Sequence, residues 1–251
     1  MTATDTSYWT ALNPDISLLK TSKLINGRFL YRLNIHAPGC ALLRDHDTDL
    51  HMAALQRNQM SKNYNYGGSW QARKSNTLIN DDQIHFLQTI KDYLDTKVKS
   101  RGNRESFKIR IEEPDIQFYA ETQSELKALV SIIKDPKCIT SFMCPENEAT
   151  RKLLLEGYVL RRKEFDWPYR VVMRDGRFSS ESKQQMATYL RNLGDENVRV
   201  PVGVWKHLEK GGWIWGGYIY IKDKNLANMF AMIDPNFVAK IEEFRTPAPG
   251  K

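Results

Sequence analysis

Tyrosine and arginine residues at strand-like spacing are the side chains of this sequence best suited to binding unpaired nucleobases and their phosphates. The segment GYIYIKD contains Tyr218 and Tyr220 alternating with isoleucine, and the segment LYRLNI contains Tyr31 beside Arg32. Residues two apart on a β-strand lie on one face, so we expect Tyr218 and Tyr220 to form a single aromatic surface. Stacking of a base on such a ring contributes about 1–3 kcal/mol. The alternative is that these tyrosines pack against a neighbouring domain.

A second group of aromatic and basic residues lies in a stretch without acidic residues, from Leu50 to Asn80. Tyrosine, tryptophan and glycine are interleaved there with positive charges. Rings that stack on bases, beside cations that neutralise phosphates, are typical of proteins that bind flexible single strands. A loop that packs on its own domain or on another copy of the chain is the alternative interpretation. The residues predicted to contact nucleic acid are Tyr64, Tyr66, Trp70, Arg73 and Lys74.

A third group consists of arginines that follow the middle of the chain, at positions Arg161, Arg162, Arg170 and Arg174. Alternation along residues 169–174 places Arg170 and Arg174 on one strand face. We interpret these arginines as a track for phosphates. An ordinary solvated face is the alternative, because acidic residues interrupt the run.

The overall charge agrees with a polyanionic partner. The chain has 37 Lys and Arg against 30 Asp and Glu, a formal net charge of +7, which favours nucleic acid first and an anionic membrane second. No window is apolar enough for a transmembrane helix, and the N-terminus lacks the pattern of a signal peptide. We therefore expect a soluble protein, located in the cytoplasm or inside a virion, with no membrane partner.

Sequence patterns for catalysis, metal binding and cofactor binding are absent. The sequence has no P-loop, no G-x-G-x-x-G, no G-x-S-x-G, no H-E-x-x-H and no H-x-H. Its three cysteines, Cys40, Cys138 and Cys144, lack the spacing of a zinc site or a disulfide framework. We predict reduced thiols, no catalytic residue, no metal and no cofactor.

Hydrophobic periodicity predicts the same order of elements, β-α-β-β-α-β, in each half of the chain. In the first half these are the strand 29–35, the helix 81–97, the strands 107–113 and 115–121, the helix 123–135 and the strand 138–143. In the second half they are the strand 168–174, a helix from residue 179 or 180 to Gly194, the strands 198–205 and 215–223, the helix 224–234 and the strand 238–244. A four-stranded antiparallel sheet with two helices on one face would bury all of their apolar stripes.

The predicted fold class is therefore α+β, with two ferredoxin-like βαββαβ repeats whose second sheet face is left open. The predicted segments are an N-terminal leader (1–27), a first domain (28–145) with a long insertion (36–80), a linker helix with a basic segment (146–167), and a second domain (168–251). A connection as long as the insertion is usually functional or disordered.

The order of elements and the two strand segments resemble the RNA-recognition motif, in which bases stack on aromatic residues of the sheet. LYRLNI is similar to the first-strand pattern of that motif, with Tyr31 at the aromatic position. GYIYIKD is similar to the third-strand pattern, with Tyr218 and Tyr220 as the aromatic pair. This resemblance implies that single-stranded RNA or DNA binds on a sheet face.

Two further resemblances suggest other functions. The tandem arrangement is similar to that of CRISPR repeat-processing endoribonucleases, which have a general acid–base histidine soon after the first strand, where this chain has His36. The segment GGWIWGG, however, lacks the spaced glycines of that family and lies elsewhere in the repeat. The C-terminal order of Y-I-Y-I-K-D, an apolar helix and V-x-K-I-x-E-F resembles uncharacterised small proteins of tailed bacteriophages.

These observations lead to three hypotheses. The first is a non-enzymatic protein that binds single-stranded DNA or RNA, such as a phage replication or transcription factor, with Arg32 among the phosphate contacts. The second is a virion or assembly component that acts as a homo-oligomer or through other phage proteins. The third is a metal-independent endoribonuclease that uses His36.

Overall fold

The chain divides into two compact units. The computed structural model describes residues 6–44, 49–63, 78–99 and 107–247. One unit comprises Met1–Thr21 and Ile25–Glu148, and the other comprises Ser22–Leu24 and Ala149–Lys251. Each unit has its own sheet, and both sheets have five strands. The described residues form eight α-helices and ten strands, so the prediction of a mixed α+β class is confirmed.

The first unit is built on a sheet in the order β1-β5-β2-β4-β3. Its elements are α1 (Ser7–Leu12), β1 (Ser17–Lys20), β2 (Tyr31–His36), α2 (Leu50–Asn63), α3 (Asp81–Lys99), β3 (Phe107–Glu112), β4 (Asp115–Ala120), α4 (Gln123–Val130) and β5 (Ile139–Cys144). The strand β1 pairs in parallel with β5, and the other neighbours are antiparallel. Two short 3-10 turns occur at Cys40–Arg44 and Pro136–Cys138.

Alternation along β2 sets the core of this unit. Leu33 and Ile35 are fully buried on one strand face, and α3 has an apolar stripe of buried residues that recurs every three or four residues, as expected for a helix on a core. The buried residues of that stripe are Ile84, Leu87, Ile90 and Leu94. The start of α3 is fixed by a reciprocal cap, because Asn80 and Gln83 each accept the other's backbone N–H, at 2.9 and 3.0 Å. The predicted helix start is thereby confirmed.

The N-terminal segment, predicted as a leader outside the repeat, contributes two elements to the first unit, while Ser22–Leu24 belong to the second unit. It supplies the edge strand β1 and the short helix α1. Trp9 of α1 is 0 % exposed, and its ring stacks on Phe142 of β5 with 4.0 Å between centroids. A six-residue helix has little stability of its own, so this aromatic contact holds α1 in place.

The second unit has a sheet in the order β6-β10-β7-β9-β8. Its elements are α5 (Glu148–Leu155), β6 (Val159–Leu160), β7 (Tyr169–Met173), α6 (Ser180–Leu193), β8 (Val198–Arg199), α7 (Val202–Lys210), β9 (Tyr218–Ile221), α8 (Leu226–Ile233) and β10 (Val238–Arg245). The helix α6 begins at its cap Ser179, whose Oγ accepts the N–H of Ser182 at 3.0 Å, and ends at Gly194, as predicted.

One hydrophobic core lies on a single face of this second sheet. Val171 and Met173 of β7 and Ile219 and Ile221 of β9 are buried there with apolar residues of α6, α7 and α8. Because successive side chains of a strand point to opposite faces, the residues between them lie on the other face. We call that surface the open face of the second unit.

Two details of the predicted fold are wrong. Each sheet has five strands rather than four, because β1 and β6 add a parallel edge strand. The predicted strand 198–205 is only two residues long, and the helix α7 follows it. The alternating valines of that segment resemble a strand, but Pro201 starts a helix that buries Val204 and Leu208, four residues apart.

Candidate functional site

The predicted contact residues fall into three sets. Tyr31 and Arg32 lie in the first unit. A second set lies in the second unit and consists of Arg161, Arg162, Arg170, Arg174, Tyr218 and Tyr220. The residues predicted in the insertion, Tyr64, Tyr66, Trp70, Arg73 and Lys74, lie outside the described residues.

Tyr31 does not offer a ring face for stacking. It is only 5 % exposed and lies on the core face of β2 with Leu33 and Ile35. Its ring is 6.2 Å from the ring of Phe142. The prediction that Tyr31 stacks on a base therefore disagrees with its burial.

Arg32 lies on the opposite face of β2, between Tyr119 of β4 and Met143 of β5 in the strand register. Its Nε is buried and has no hydrogen-bond partner among the described residues. Arg32 is in the first unit, whereas the other described arginines predicted to bind phosphate are in the second unit.

The open face of the second unit brings together Arg170, Tyr218 and Tyr220, and Arg161 lies 5.9 Å from the ring centre of Tyr220. Tyr218 and Tyr220 of β9 have rings 5.3 Å apart, and Arg170 lies directly across from Tyr220 on β7. The guanidinium carbon of Arg170 is 5.7 Å from the ring centre of Tyr218. Tyr218 is 36 % exposed. An aromatic ring beside an arginine is thus accessible on this face.

The loop before β7 covers part of the open face. Phe165 packs edge-to-face on Tyr220 at 5.1 Å and on Phe244 of β10 at 5.7 Å. The guanidinium of Arg161 lies 4.1 Å from the ring centres of both Phe165 and Phe244, a cation–π arrangement. Tyr220 is therefore half-buried, and Tyr218 is the more accessible member of the predicted pair.

One buried carboxylate, that of Glu242, forms ion pairs with two cations of the open face. Glu242 of β10 is 7 % exposed and accepts from Arg170 Nε and from Lys240 Nζ, each at 2.7 Å. Burial raises the pKa of Glu242, but Lys240 and Arg170 outweigh it, so the pKa lies below the ordinary value of 4.5. With Arg161, the face carries three cations around one carboxylate. Arg162 and Arg174 are exposed.

Two accessible aromatic residues next to β9 were not predicted as contacts. Trp213 and Trp215 are 47 % and 72 % exposed, and their rings stack on each other with 5.5 Å between centroids. Ile214 between them is 1 % exposed. The signal was present in the sequence, because the segment GGWIWGG has one isoleucine between two tryptophans, and in an extended chain this spacing places both rings on the side opposite the isoleucine.

The first unit contains a cleft of about 390 Å³ between the end of β2 and the start of α3. His36 lies at its edge, and His36 Nδ1 is 3.2 Å from Asp115 Oδ1. The other polar residues of its lining include two carboxylates, and they are Asn80, Asp82, Gln83, His85, Thr89, Lys134 and Asp135. His36 was predicted as a candidate from its position after the first strand. His85 and Lys134 were not predicted to lie in the same cleft.

The cysteines are free, in agreement with the predicted reduced thiols. Burial raises the pKa of Cys40 to about 12, with a further contribution from Glu113. Burial likewise raises the pKa of Cys138, which lines the cleft, and of Cys144 to about 11. Thiolate is the nucleophilic form of cysteine, so these thiols are poor nucleophiles at neutral pH.

A scan against protein-family models, a search of curated proteins and a search of solved structures each find no match to this chain. Within the described part of the chain, every helix is too short or too polar to cross a lipid bilayer.

Proposed function

We propose that this protein binds single-stranded nucleic acid through the open face of its second unit, without catalysing a reaction. The observation that carries the proposal is the accessible ring of Tyr218 beside Arg170, on the strand face opposite to the one that packs against α6, α7 and α8. Bases stack on an exposed ring, and the adjacent guanidinium neutralises a phosphate.

The order of the strands supports a ferredoxin-like fold for each unit. Apart from the parallel edge strand, both sheets follow the order fourth-first-third-second, with β5-β2-β4-β3 in one and β10-β7-β9-β8 in the other. In the RNA-recognition motif, which has this topology, the first and third strands are adjacent and carry the stacking aromatics. The equivalent strands here are β7 and β9. Fold analogy alone does not decide function, so the proposal depends on the side chains of the open face.

Charge complementarity favours nucleic acid over an uncharged partner. Arg161 and Arg170 approach the aromatic rings of the open face within cation–π distance, and Lys240 and Glu242 add one positive and one negative charge. The guanidinium of Arg161 is held between two rings, so little side-chain entropy is lost when it meets a phosphate.

We expect a labelled 15-nucleotide oligo(dT) or oligo(U) to bind with strongly salt-dependent affinity. Two phosphate contacts, the net positive charge that is left on the open face beside Glu242, give a slope of about −1.4 for log K against log salt, because each contact on a single strand releases about 0.7 counterion. Tyr218→Ala is expected to weaken binding about tenfold, which corresponds to the loss of one stacked base. Fluorescence anisotropy across a salt series measures both quantities.

Tyr218→Phe is the matched control, because it keeps the ring and is expected to retain affinity. Tyr220 is less suitable for this test, since its packing on Phe165 also stabilises the fold. Absence of binding at low salt, or affinity without a salt slope, would contradict the proposal. A defined oligomer in light scattering together with no oligonucleotide binding would favour the structural or assembly role instead.

The cleft of the first unit supports a second candidate, a metal-independent endoribonuclease. Asp115 contacts Nδ1 of His36, which leaves Nε2 free to transfer a proton. In such a cleavage the RNA 2′-hydroxyl loses its proton and attacks the neighbouring phosphorus. The 5′-oxygen then leaves with a proton, and a 2′,3′-cyclic phosphate remains. Lys134 and His85 line the same cleft and could stabilise the phosphate charge.

If this second candidate is correct, the protein cleaves a labelled hairpin RNA in the presence of EDTA and leaves the DNA hairpin of the same sequence intact. His36→Ala is expected to slow cleavage by about 10²–10⁴-fold, the usual contribution of a general acid or base. His207→Ala is the matched control, because this exposed histidine lies on α7 of the second unit. Equal rates for both variants, or no cleavage by the wild type, would exclude His36 catalysis.

A further inference from the structure

The loop between α7 and β9 holds two exposed tryptophans in a fixed position. We call residues 211–217 the Trp loop. Trp213 and Trp215 are 47 % and 72 % exposed, although tryptophan is usually among the more buried residue types. Large apolar side chains that remain exposed next to a proposed binding surface suggest a role in recognition.

Three separate anchors fix the backbone of the Trp loop. Lys183 of α6 is 4 % exposed and donates from Nζ to the carbonyl of Gly212 at 2.7 Å. Ile214 is buried in the core and exchanges two backbone hydrogen bonds with Gly176, at 2.9 and 3.1 Å. The carboxylate of Asp175 accepts the N–H of Gly216 at 2.6 Å. The loop is thus tied to α6 and to the segment 175–176 of its unit.

Close packing at the end of the Trp loop requires glycine. A Cβ atom at Gly217 would lie 2.8 Å from Ile214 Cγ2 and 3.1 Å from Met173 Sδ. Gly217 also accepts the N–H of Met173 at 2.8 Å, which joins the loop to β7. Pre-organisation of this kind lowers the entropy that is lost when a ligand stacks on the exposed rings.

The geometry of the tryptophan pair limits how a base can bind. The two rings are 5.5 Å apart and nearly parallel, at 28°, so they already contact each other and leave no room for a base between them. A base therefore has to stack on the outside of the pair. Trp215 is the more exposed ring, and Tyr218 is three positions further along the chain, so their Cα atoms are at most about 11 Å apart.

The charges around the Trp loop favour a polyanion over a protein partner of ordinary composition. Arg174 and Arg177 flank the segment that pairs with Ile214, and Lys210 precedes the loop; all three are exposed. The acidic residue of the pairing segment, Asp175, is held by the N–H of Gly216. Two exposed rings, in a loop whose neighbouring chain segments carry three exposed cations, match a single strand, in which bases and phosphates alternate.

We infer that the Trp loop is a second stacking subsite for unpaired bases of the same single strand, with Trp215 as the ring that contacts a base and Asp175 and Lys183 as positioning residues. This inference rests on the proposed function, because it extends the strand that binds at Tyr218. The strand would pass from the open face of the sheet onto the Trp loop.

The test compares a labelled 15-nucleotide oligo(dT) with an abasic oligonucleotide of equal length. Trp215→Leu is expected to weaken oligo(dT) binding about tenfold and to leave binding of the abasic strand unchanged, because only stacking is lost. Wild-type tryptophan fluorescence is expected to be quenched by oligo(dT), and much of that quenching to disappear in Trp215→Leu. Met232→Ala, which removes a 76 % exposed apolar side chain of α8, is the control and is expected to bind like the wild type.

The positioning role has its own pair of variants. Asp175→Ala and Asp175→Asn remove the same negative charge, but only asparagine keeps an oxygen that can accept the N–H of Gly216. We expect Asp175→Ala to weaken oligo(dT) binding several-fold relative to Asp175→Asn, with abasic binding equal in both. Equal oligo(dT) affinities for the two variants would contradict the positioning role.

Separate results distinguish failure of this inference from failure of the proposed function. If the wild type binds no oligonucleotide, the proposed function fails and the inference fails with it. If the wild type binds, Tyr218→Ala weakens binding and Trp215→Leu binds like the wild type, only the inference is overturned. It is also overturned if Trp215→Leu weakens oligo(dT) and abasic binding equally, or if that variant alters the oligomeric state in light scattering while affinity is unchanged.

Discussion

Trp9→Ala is expected to lower the free energy of unfolding by about 3–5 kcal/mol, the usual cost of removing a large aromatic side chain from a core. Trp9 is 0 % exposed and stacks on Phe142, which is itself 1 % exposed. Its removal leaves a cavity and releases α1 from β5. Urea denaturation followed by circular dichroism measures the change, with the midpoint shifting at a constant slope.

Trp215→Ala is the matched control for Trp9→Ala, because it makes the same change at a ring that is 72 % exposed. We expect it to alter the free energy of unfolding by no more than about 0.5 kcal/mol. Trp9→Phe is expected to cost much less than Trp9→Ala, because a phenyl ring keeps most of the stacking and the buried Nε1 has no partner among the described residues. A loss below about 1 kcal/mol for Trp9→Ala would show that the N-terminal segment is not part of the core.

The order of elements could be predicted because each one has a clear local signal. Apolar residues of α3 recur with helical spacing, and its cap at Asn80 is a common one. The isoleucines of β9 alternate with Tyr218 and Tyr220, so the shared face of the two tyrosines was also predictable from the period of two. The helix α7 was not predicted because the alternating valines of this segment fit a strand as well as a helix. The segment is helical because the helix buries Val204 and Leu208, and this burial depends on the tertiary structure.

The accessibility of the site residues could be predicted only in part, because alternation tells which residues share a face but not what covers that face. Tyr31 shares its face with Leu33 and Ile35 and is buried, whereas Tyr218 lies opposite Ile219 and is exposed. The same alternation does not show that Tyr220, which shares a face with Tyr218, is half-buried. The cover over Tyr220 comes from Phe165, 55 positions earlier in the chain. Contacts of this range depend on the fold as a whole and leave no local pattern.

Glu242→Gln is expected to strengthen oligonucleotide binding while it weakens the fold. The carboxylate of Glu242 neutralises Arg170 and Lys240 on the open face. When its charge is removed, Arg170 and Lys240 can both pair with phosphates of the oligonucleotide. We therefore expect about three- to tenfold tighter binding at low salt and a steeper salt dependence. Loss of the buried charge pair is expected to cost about 2 kcal/mol, less than for a fully enclosed pair because Arg170 and Lys240 still reach water.

Glu243→Gln is the matched control, because it makes the same change in charge at the next residue, on the other face of β10. Glu243 pairs with Arg245, which is exposed, and its loss is expected to change stability by less than about 1 kcal/mol and affinity less than Glu242→Gln does. Anisotropy and urea denaturation of the two variants give the comparison. Equal affinities for Glu242→Gln and Glu243→Gln would mean that overall charge, not the open face, attracts the oligonucleotide.

The contribution of Glu242 to the free energy of unfolding is also expected to decrease as the pH is lowered. Its folded-state pKa lies below the ordinary value of 4.5, so the carboxylate stabilises the fold above that pH, and this contribution is lost as the pH falls through the folded-state value. The gap in unfolding free energy between the wild type and Glu242→Gln is therefore expected to be full at pH 7 and to shrink below pH 4.5. A gap that stays constant into the acid range would mean that the amide disturbs packing and that the ion pair with Arg170 contributes little.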